Sequence, residues 1–331
     1  MKTNNRIVLI TGASGFIGLN TVKLFAQKNY KIYAIVRNNI AKELLELREK
    51  YDLQLIKCDL GNKEEVINMY EQLEEKPSTI VHIAGLASDI GADSLFRKSN
   101  YDSTINLAEL NCDKFIYISS TDVYGIKDFH REKEEELPLL LYPNNPYPKY
   151  KIECEKWLKN NLPKDKYVII RPADVFGEND KTLEKRFVDF LQNSPFIVYF
   201  GKWKGKNRYP LASVDNVSKT IFAVTEYDEW NGEAINIIDE KFITIENYYE
   251  YVAKKYFPEK KFRILCLPIW FGRILGFIST SLSNLMKKKH PVFDPSYYAS
   301  YHISSNLDFS GEKMNSILKT VYKEEKTITT I

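Results

Sequence analysis

Cysteine and histidine are scarce in this chain, with four of each among 331 residues. The cysteines Cys58, Cys112, Cys154 and Cys266 lie far apart, have no C-x-x-C spacing and stand beside no histidine cluster. Zinc sites and disulfide frameworks need closely spaced groups of these residues. We therefore expect no metal site, no disulfide framework and reduced thiols.

An excess of charge of one sign is also missing. The 47 basic residues stand against 44 acidic ones, and the net charge is +3. A protein that binds nucleic acid along its surface needs a strong positive field. The composition therefore predicts no nucleic-acid partner, and the local basic runs at 202–208 and 287–289 are interpreted as solvated faces.

Long hydrophobic runs are rare as well. The polar residues 1–6 lead directly into an apolar strand without a signal-type hydrophobic region, which predicts a cytoplasmic protein. One largely apolar stretch, 264–282, is interrupted by Pro268 and Arg273. It favours a buried or amphipathic helix over a peripheral membrane contact, and disfavours a membrane span.

The first half of the chain alternates short apolar runs with longer amphipathic stretches. Buried parallel strands need crossovers of a dozen or more residues, and the gaps between these runs supply them. The pattern predicts an α/β fold with a Rossmann-type doubly wound parallel sheet. Its strands are predicted at 7–10, 31–36, 53–57, 79–84, 115–119 and 168–171.

The regular alternation stops after Arg171-Pro172. We expect residues 1–172 to form the dinucleotide-binding core and 173–331 to form mainly a smaller C-terminal α+β substrate lobe, with a strand and helix returning to the core from about 207–240. Pro195, Gly201 and Gly205 mark turns, and the stretch 196–212 is interpreted as a hairpin.

Glycines recur with the spacing G-x-x-G-x-x-G between the first predicted strand and the next helix. Glycine permits the tight turn and lets a ligand approach the backbone, while the helix N-terminus offers N–H groups to a pyrophosphate. The strand-turn-helix context makes this pattern a prediction of dinucleotide binding. The residues predicted to contact the cofactor here are Gly12, Ser14, Gly15, Phe16, Ile17 and Gly18.

The end of the second strand indicates which dinucleotide is bound. An acid at that point would bind the adenosine 2'-hydroxyl, whereas an arginine pairs with a 2'-phosphate. The strand ends in Ile35-Val36-Arg37, which predicts NADP(H) in preference to NAD(H). Asp59, after the third strand, is predicted to accept a hydrogen bond from the adenine amino group, with a loop cap as the alternative.

Tyr147 and Lys151 have the spacing of a proton-transfer pair. Hydride transfer at an alcohol carbon requires a proton to move on the oxygen, and the pKa of a free tyrosine is about 10. A lysine at i+4 lies on the same helix face and stabilises the phenolate. Pro146 and Pro148 suit a helix start, with Asn144 or Asn145 as its cap.

Taken together, these segments resemble the extended short-chain dehydrogenase/reductases, also called the NAD-dependent epimerase/dehydratase family. The resemblance covers roughly residues 6–240, in family order. It rests on residues 11–18, Asp59-Leu60, His82-Ile83-Ala84-Gly85, the run 119–125, the Tyr147 and Lys151 pair, and Arg171-Pro172 followed by Val175-Phe176-Gly177.

The resemblance implies further site residues. Ser120 is implied as the catalytic hydroxyl beside Tyr147 and Lys151, with Thr121 as the runner-up and Ser119 turned toward the cofactor or the core. The backbone of His82 is expected to border the cofactor, and Asn100 matches a family asparagine. Further cofactor contacts are implied at Leu60, Ala84, Gly85, Tyr147, Lys151 and Pro172.

The resemblance also bears on the substrate. Dehydratases of the family have two adjacent acids where this chain has Thr121 and Asp122, so a 4,6-dehydratase is disfavoured and these two residues are expected to contact substrate. No cysteine beside Ser120 supports 3,5-epimerisation. Arg208, seven residues before Asp215, has the spacing of an arginine that clamps a substrate diphosphate, although reductases of other substrates have a similar element.

Three functions stay open. The first is a nucleotide-sugar reductase or epimerase; the second is an NADPH-dependent reductase of a hydrophobic ketone or a 3-beta-hydroxysteroid-like substrate; the third is a non-catalytic NADP(H) sensor. Arg37 favours net reduction, because an epimerase regenerates its cofactor. Family dimers imply a homodimer through residues 102–110 and 151–159.

Overall fold

The computed structural model describes residues 6–130, 137–178, 180, 182–227, 230–239, 243–288 and 290–322. Residues 1–5 of the polar N-terminal stretch lie outside these ranges. The described strands are β1 (Ile7–Thr11), β2 (Lys31–Val36), β3 (Leu53–Lys57), β4 (Thr79–His82), β5 (Lys114–Ile118), β6 (Tyr167–Pro172), β7 (Asp174–Phe176), β8 (Phe196–Phe200), β9 (Arg208–Tyr209), β10 (Leu211–Ser213), β11 (Ala234–Ile237), β12 (Ile243–Thr244) and β13 (Arg263–Leu267).

Helices connect these strands and cover both faces of the sheet. A π-helix spans Arg97–Asp102 and a 3-10 helix spans Thr121–Tyr124. The α-helices are α1 (Phe16–Gln27), α2 (Lys42–Arg48), α3 (Lys63–Glu71), α4 (Asp93–Phe96), α5 (Ser103–Ala108), α6 (Pro146–Asn161), α7 (Leu183–Asn193), α8 (Val214–Glu226), α9 (Ile245–Tyr256), α10 (Ile269–Leu285), α11 (Tyr297–His302) and α12 (Glu312–Tyr322).

The main sheet has the strand order β11-β6-β5-β4-β1-β2-β3, and every neighbouring pair is parallel. The doubly wound Rossmann-type fold is confirmed, and the ends of the six predicted strands agree to within two residues. Alternate side chains of β1 enter opposite cores. Val8 belongs to the core that includes residues of α1, α2, α8 and α12, whereas Leu9 belongs to the core that includes residues of α3, α5 and α6.

The predicted hairpin at 196–212 is wrong. β8 pairs in parallel with β13, β9 pairs antiparallel with β12, and β10 pairs in parallel with β7. Gly201 and Gly205 have positive φ angles of 82° and 84°, so both positions are turns as predicted. The strands before and after these turns do not pair with each other, because β8, β9 and β10 each pair with another strand.

The apolar stretch 264–282 is not buried. Pro268 separates β13 from α10, and the buried residues of α10 are the small ones, Gly272, Gly276, Ser279 and Ser283. Its large side chains face outward, with Trp270 59% exposed. Among the described residues, no helix combines the length and the hydropathy needed to cross a bilayer.

Candidate active site

The carboxyl ends of the central strands bring the predicted site residues to one edge of the sheet. β1 ends at Thr11 before the glycine turn, β4 ends at His82 before Ala84-Gly85, and β5 ends at Ile118 before Ser119-Ser120. These strands are neighbours in the order β5-β4-β1. Parallel strands that end at a common edge form the crevice where ligands bind in such sheets.

The glycine turn after β1 is built for close backbone approach. Gly12 has a φ angle of 66°, and a Cβ there would lie 2.9 Å from the Ala84 backbone nitrogen. A Cβ on Gly18 would overlap the Gly12 carbonyl, lying 2.7 Å from its carbon. Gly15 begins α1 without a side-chain cap, and no acidic residue occupies the first turn. This N-terminus therefore fits a pyrophosphate.

The adenosine side of the crevice carries exposed cations beside a carboxylate. Lys98 Nζ lies 2.7 Å from Asp59 Oδ2, and this hydrogen bond lowers the pKa of Asp59. Arg37 is exposed directly after β2 and lowers the pKa of Asp59 further. Ser14 Oγ donates to the carbonyl of Asn39 at 2.7 Å. Leu60 is buried beside these groups. The specific contacts assigned to these residues remain predictions.

A buried hydrogen-bond chain joins β1 to the segment that includes Ala84. The backbone N–H of Ala84 donates to Thr11 Oγ1 at 3.1 Å, and Thr11 Oγ1 lies 2.8 Å from His82 Nδ1. His82 Nε2 lies 3.1 Å from Thr104 Oγ1. Burial lowers the pKa of His82 to about 3, so its imidazole is neutral and holds the loop in place.

The loop after His82 is also fixed from the helical side. Asn100 Oδ1 accepts from the Leu86 N–H at 2.6 Å, and Asn100 Nδ2 donates to the Leu86 carbonyl at 3.0 Å. A Cβ on Gly85 would lie 3.2 Å from Asn100 Oδ1. Asn100 therefore fixes this loop from the helical side, and Thr104 donates to its carbonyl.

Ser120, Tyr147 and Lys151 are brought together at the end of β5. Asn145 caps α6 by accepting from the Tyr147 N–H at 2.8 Å, which confirms one of the two predicted caps. The Tyr147 side chain lies close enough to Ser120 for that residue to lower the pKa of the phenol. Lys151 Nζ donates to the Ile118 carbonyl at 2.6 Å and lies 5.9 Å from the centroid of the Tyr147 ring.

Burial shifts the pKa values of Tyr147 and Lys151 in opposite directions. Burial raises the pKa of Tyr147, and the negative charge of Asp122 raises it further, against the lowering effect of Ser120. Burial lowers the pKa of Lys151 to about 8. The protein on its own therefore keeps Tyr147 protonated, a form suited to donating a proton to a substrate oxygen.

Ser119, beside Ser120, turns into the core. Its Oγ donates to Glu155 Oε1 at 2.7 Å, and Glu155 forms a bidentate pair with the buried Arg171. Arg171 also donates to the Tyr124 hydroxyl at 2.5 Å. Pairing satisfies both buried charges. This network fixes the backbone of the Ser119-Ser120 turn from below.

A second group of ionisable side chains lies near Tyr147, with members from the core and from the C-terminal lobe. His302 on α11 lies 3.5 Å from Asp122 Oδ1 and 3.8 Å from Asp174 Oδ2, and Tyr209 donates to Asp174 at 2.5 Å. Burial and the nearby negative charge of Asp122 raise the pKa of Tyr298 on α11, and its hydroxyl has no hydrogen-bond partner among the described residues. Thr121, the neighbour of Asp122, is buried at the start of the 3-10 helix. We name His302, Asp122 and Asp174 the acid-base cluster.

Two further predicted residues lie at the edges of this region. Arg208 begins β9, and its guanidinium lies 2.7 Å from Asp308 Oδ1 with the side chain 32% exposed. Pro172 ends β6 and is in register with Ile237 of β11. A diphosphate at Arg208 would share the guanidinium with Asp308, and the clamp remains a prediction.

The comparison with known families decides the family of this chain. The model of the "NAD dependent epimerase/dehydratase family" matches residues 8–237. The chain belongs to the NAD-dependent epimerase/dehydratase family. The matched range includes the glycine turn, Ser120, Tyr147 and Lys151, and the sequence-based resemblance is confirmed.

Curated family members match over part of the chain. The uncharacterized protein YbjS of Escherichia coli (strain K12) is 27% identical over 193 residues, 56% of each protein. UDP-glucose 4-epimerase 2 of Oryza sativa subsp. japonica is 26% identical over 212 residues, 56% of this chain and 51% of that protein. The chain thus aligns with about half the length of these relatives.

Solved structures of the family share the fold over nearly the whole chain. Pal from Bacillus thuringiensis has a TM-score of 0.70 at 22% identity, covering 98% of this chain and 95% of that one. UDP-glucuronic acid 4-epimerase from Bacillus cereus, solved with UDP-glucuronic acid and NAD, has a TM-score of 0.67 at 20% identity with the same coverage. At these identities the likeness shows the fold.

The sequence interpretation did not find His302 or Asp174 of the acid-base cluster. Asp174 directly precedes the Val175-Phe176-Gly177 motif, and that adjacency could have marked it. His302 lies in no motif, and its partner Asp122 is far away along the chain. Only the packing of α11 over the end of β5 brings them together.

Proposed function

We propose that this chain is a nicotinamide-dependent enzyme that acts on nucleotide sugars, as an epimerase or a reductase that moves hydride at a sugar carbon. One observation carries the proposal: Ser120, Tyr147 and Lys151 meet at the end of β5, with Lys151 Nζ 5.9 Å from the centroid of the Tyr147 ring, beside the acid-base cluster. Curated relatives include UDP-glucose 4-epimerases.

The polarity around Tyr147 supports a sugar substrate. Carboxylates, an imidazole and phenols surround the position where a reacting carbon would lie, namely Asp122, Asp174, His302, Tyr209 and Tyr298. A pocket of this kind offers hydrogen bonds to several hydroxyl groups, whereas a hydrophobic ketone would offer none to the Tyr298 hydroxyl, which has no partner among the described residues. The hydrophobic-ketone alternative is therefore the weaker one.

Each catalytic residue has a distinct task in this proposal. Tyr147 moves the proton of the substrate hydroxyl, and Ser120 holds the same oxygen by a hydrogen bond. Lys151, buried beneath Tyr147, supplies the positive charge that makes the phenolate accessible. When bound, the nicotinamide supplies the hydride acceptor or donor. Gly12, Gly15 and Gly18 leave room for its pyrophosphate.

Arg37 supports NADP(H) over NAD(H), because it is an exposed guanidinium where the 2'-phosphate would lie. Arg37 also favours a reductase over an epimerase, since net reduction draws on an NADPH pool.

The two reactions differ in stoichiometry. A reductase consumes one cofactor per product, whereas an epimerase converts substrate with no net change in nicotinamide absorbance.

The test is turnover of a panel of UDP- and dTDP-sugars with NAD(H) and NADP(H), in the wild type and in Tyr147→Phe. We expect Tyr147→Phe to lose activity by about a hundredfold or more while cofactor affinity is kept. Tyr150→Phe is the matched control on the same helix, because its hydroxyl donates to Asp93 at 2.6 Å, away from Ser120.

Full activity in Tyr147→Phe would refute the proposed mechanism. Cofactor binding without turnover of any sugar would instead favour the non-catalytic sensor. Turnover of hydrophobic ketones but not of nucleotide sugars would select the ketone reductase.

A further inference from the structure

Helix α10 presents its large apolar side chains to the outside of the protein. Trp270 is 59% exposed, Phe277 is 62% exposed and Leu285 is 81% exposed. Packing normally buries large apolar side chains and leaves small ones outside, because burial gains free energy in proportion to apolar area. In α10 this order is reversed, and its outer face is left uncovered by the described part of the chain.

The reversed orientation is fixed by close contacts on the inner face. A Cβ on Gly272 would lie 2.6 Å from Phe200 Cδ1, and a Cβ on Gly276 would lie 2.7 Å from the Ser296 carbonyl oxygen. Ser283 Oγ donates to the Ser279 carbonyl and accepts from the Val292 N–H. The helix cannot roll over to bury its large residues without losing these contacts.

The exposed apolar surface continues beyond the helix into β13 and the loop before α11. We call it the α10 face, and its residues are Ile264, Leu265, Ile269, Trp270, Phe271, Ile274, Phe277, Ile278, Leu282, Leu285, Met286, Val292 and Phe293. Single exposed apolar residues are common on soluble proteins, but a contiguous set of this size marks an interaction surface.

The segment that forms this face is strongly cationic. Residues 260–290 include seven lysines and arginines and no aspartate or glutamate. The rest of the chain therefore has 40 basic and 44 acidic residues and is net negative. Exposed cations flank both ends of the apolar stretch, with Lys261 and Arg263 before it and Lys287 and Lys288 after it.

We propose that the α10 face docks onto an anionic bilayer surface, with α10 lying in the interface rather than crossing it. An exposed apolar stripe with a tryptophan inserts shallowly among lipid headgroups, and flanking lysines bind acidic headgroups. A second copy of the chain fits less well, because two faces of the same positive charge repel each other.

Docking would place the substrate lobe next to the membrane. Helix α10 packs on α11, and the Arg273 guanidinium lies 3.5 Å from the centroid of the Tyr301 ring. Helix α11 also carries Tyr298 and His302, and His302 belongs to the acid-base cluster. The docking proposal itself does not depend on the reaction catalysed.

The experiment is sedimentation of the full chain with vesicles of phosphatidylcholine alone and of phosphatidylcholine with phosphatidylglycerol. We expect binding to the anionic vesicles that weakens with salt. The double change Trp270→Glu and Phe277→Glu should abolish it, and Lys287→Gln with Lys288→Gln should lower the partition coefficient about tenfold or more. Tryptophan fluorescence should shift to the blue on binding, and this shift should be absent in Trp270→Phe.

Two controls match these variants elsewhere on the surface. Ile67→Glu alters an exposed apolar residue of α3, and Lys23→Gln with Lys50→Gln removes two exposed charges from the core domain. Both should bind vesicles as the wild type does. No binding to anionic vesicles, or equal binding to neutral ones, would overturn the proposal. So would dimerisation in the absence of lipid that Phe277→Glu abolishes, since it would assign the face to a second copy.

Discussion

Single charged side chains near Tyr147 set the pKa of the ionisable groups that surround the expected substrate position. Burial alone would lower the pKa of His302, but the negative charges of Asp174 and Asp122 outweigh it and raise the pKa to about 9. Asp89 adds to this effect. At neutral pH the imidazole is therefore a cation held between two carboxylates, and it can balance their charge or deliver a proton.

This charge makes stability depend on pH. The pKa of His302 is about 9 in the folded chain, against 6.5 for an unperturbed histidine, so its contribution is complete below pH 6.5 and is lost as the pH rises through 9. We predict that His302→Gln destabilises the protein most below pH 6.5. The difference should shrink by up to about 1.4 kcal/mol per pH unit within this window, as measured by urea unfolding.

His82→Gln is the matched control, because His82 has a pKa of about 3 and is neutral across the same window. Its effect on the free energy of unfolding should be constant between about pH 7 and about pH 9, where the histidine is neutral in both the folded and the unfolded chain. A pH-independent effect of His302→Gln would mean that the imidazole is neutral in the folded protein.

A second prediction concerns cofactor choice. Arg37→Gln should weaken NADPH binding roughly 10- to 100-fold, since a hydrogen bond to a charged group is worth about 1.5–3 kcal/mol, and should leave NADH binding unchanged. Titration of intrinsic fluorescence measures both dissociation constants. Arg48→Gln, at the exposed end of α2, should change neither. Equal weakening of NADPH and NADH binding would show that Arg37 does not recognise the 2'-phosphate.

Among single residues, the sequence can assign those that stand in short motifs. Tyr147 and Lys151 are found through their spacing on one helix, and Ser120 through the family motif at the end of one strand. The partners of Asp122 cannot be found in this way. His302 reaches Asp122 only through the packing of α11, which no local pattern encodes.

At the scale of elements, two glycines of the turn between β1 and α1 are expected to have different tasks. Gly18 allows close packing of the backbone, and Gly15 allows the cofactor to approach it. A Cβ on Gly18 would overlap backbone, whereas a Cβ on Gly15 would lie 3.1 Å from the Gly12 carbonyl oxygen with an ordinary φ of −79°. We predict that Gly18→Ala costs about 1–3 kcal/mol of stability and also weakens cofactor binding. Gly15→Ala should weaken cofactor binding and leave stability nearly unchanged.

Thermal unfolding with and without NADPH distinguishes these effects. Stabilisation by the cofactor should be reduced in both variants, but the melting temperature of the free protein should fall only in Gly18→Ala. A normal cofactor response in Gly15→Ala would show that the turn does not contact the pyrophosphate.

Elements defined by their own apolar pattern are predictable, and their partners are less so. The strands of the main sheet follow from buried apolar runs such as β1 and β5, both buried at every position. The pairing of β8 with β13 does not follow, because strand pairing across a long separation depends on which edges are free in the folded lobe. For the same reason the apolar stretch 264–282 predicts a buried or amphipathic helix, but it does not show that the folded lobe leaves the large side chains of α10 outside.

At the scale of the whole molecule, the chain returns twice from the C-terminal half to the main sheet. β11 adds a strand beside β6, and α12 packs on α8 and β11 through the buried Met314 and Leu318. The last described helix therefore belongs to the core formed mainly by the first half. The domain boundary at 172 remains a prediction for the substrate lobe.

This return makes the C-terminal helix important for core stability. We predict that Leu318→Ala lowers the free energy of unfolding by about 2–5 kcal/mol, because it leaves a cavity against α8. Lys319→Ala, the exposed neighbour, should change it by less than about 0.5 kcal/mol. Denaturant unfolding measures both, and a small effect of Leu318→Ala would show that α12 is dispensable to the core. Homodimerisation through 102–110 and 151–159 remains a prediction.

The sequence by itself determined the parallel sheet, the glycine turn and the family, because these depend on local apolar periodicity and on motifs whose members are close in the chain. Tertiary structure alone decided the acid-base cluster and the outward face of α10. Both depend on which surfaces pack together in the folded chain. His302 faces Asp122 only when α11 packs near the end of β5. The large side chains of α10 stay outside because its glycines allow the opposite face to pack closely against the lobe.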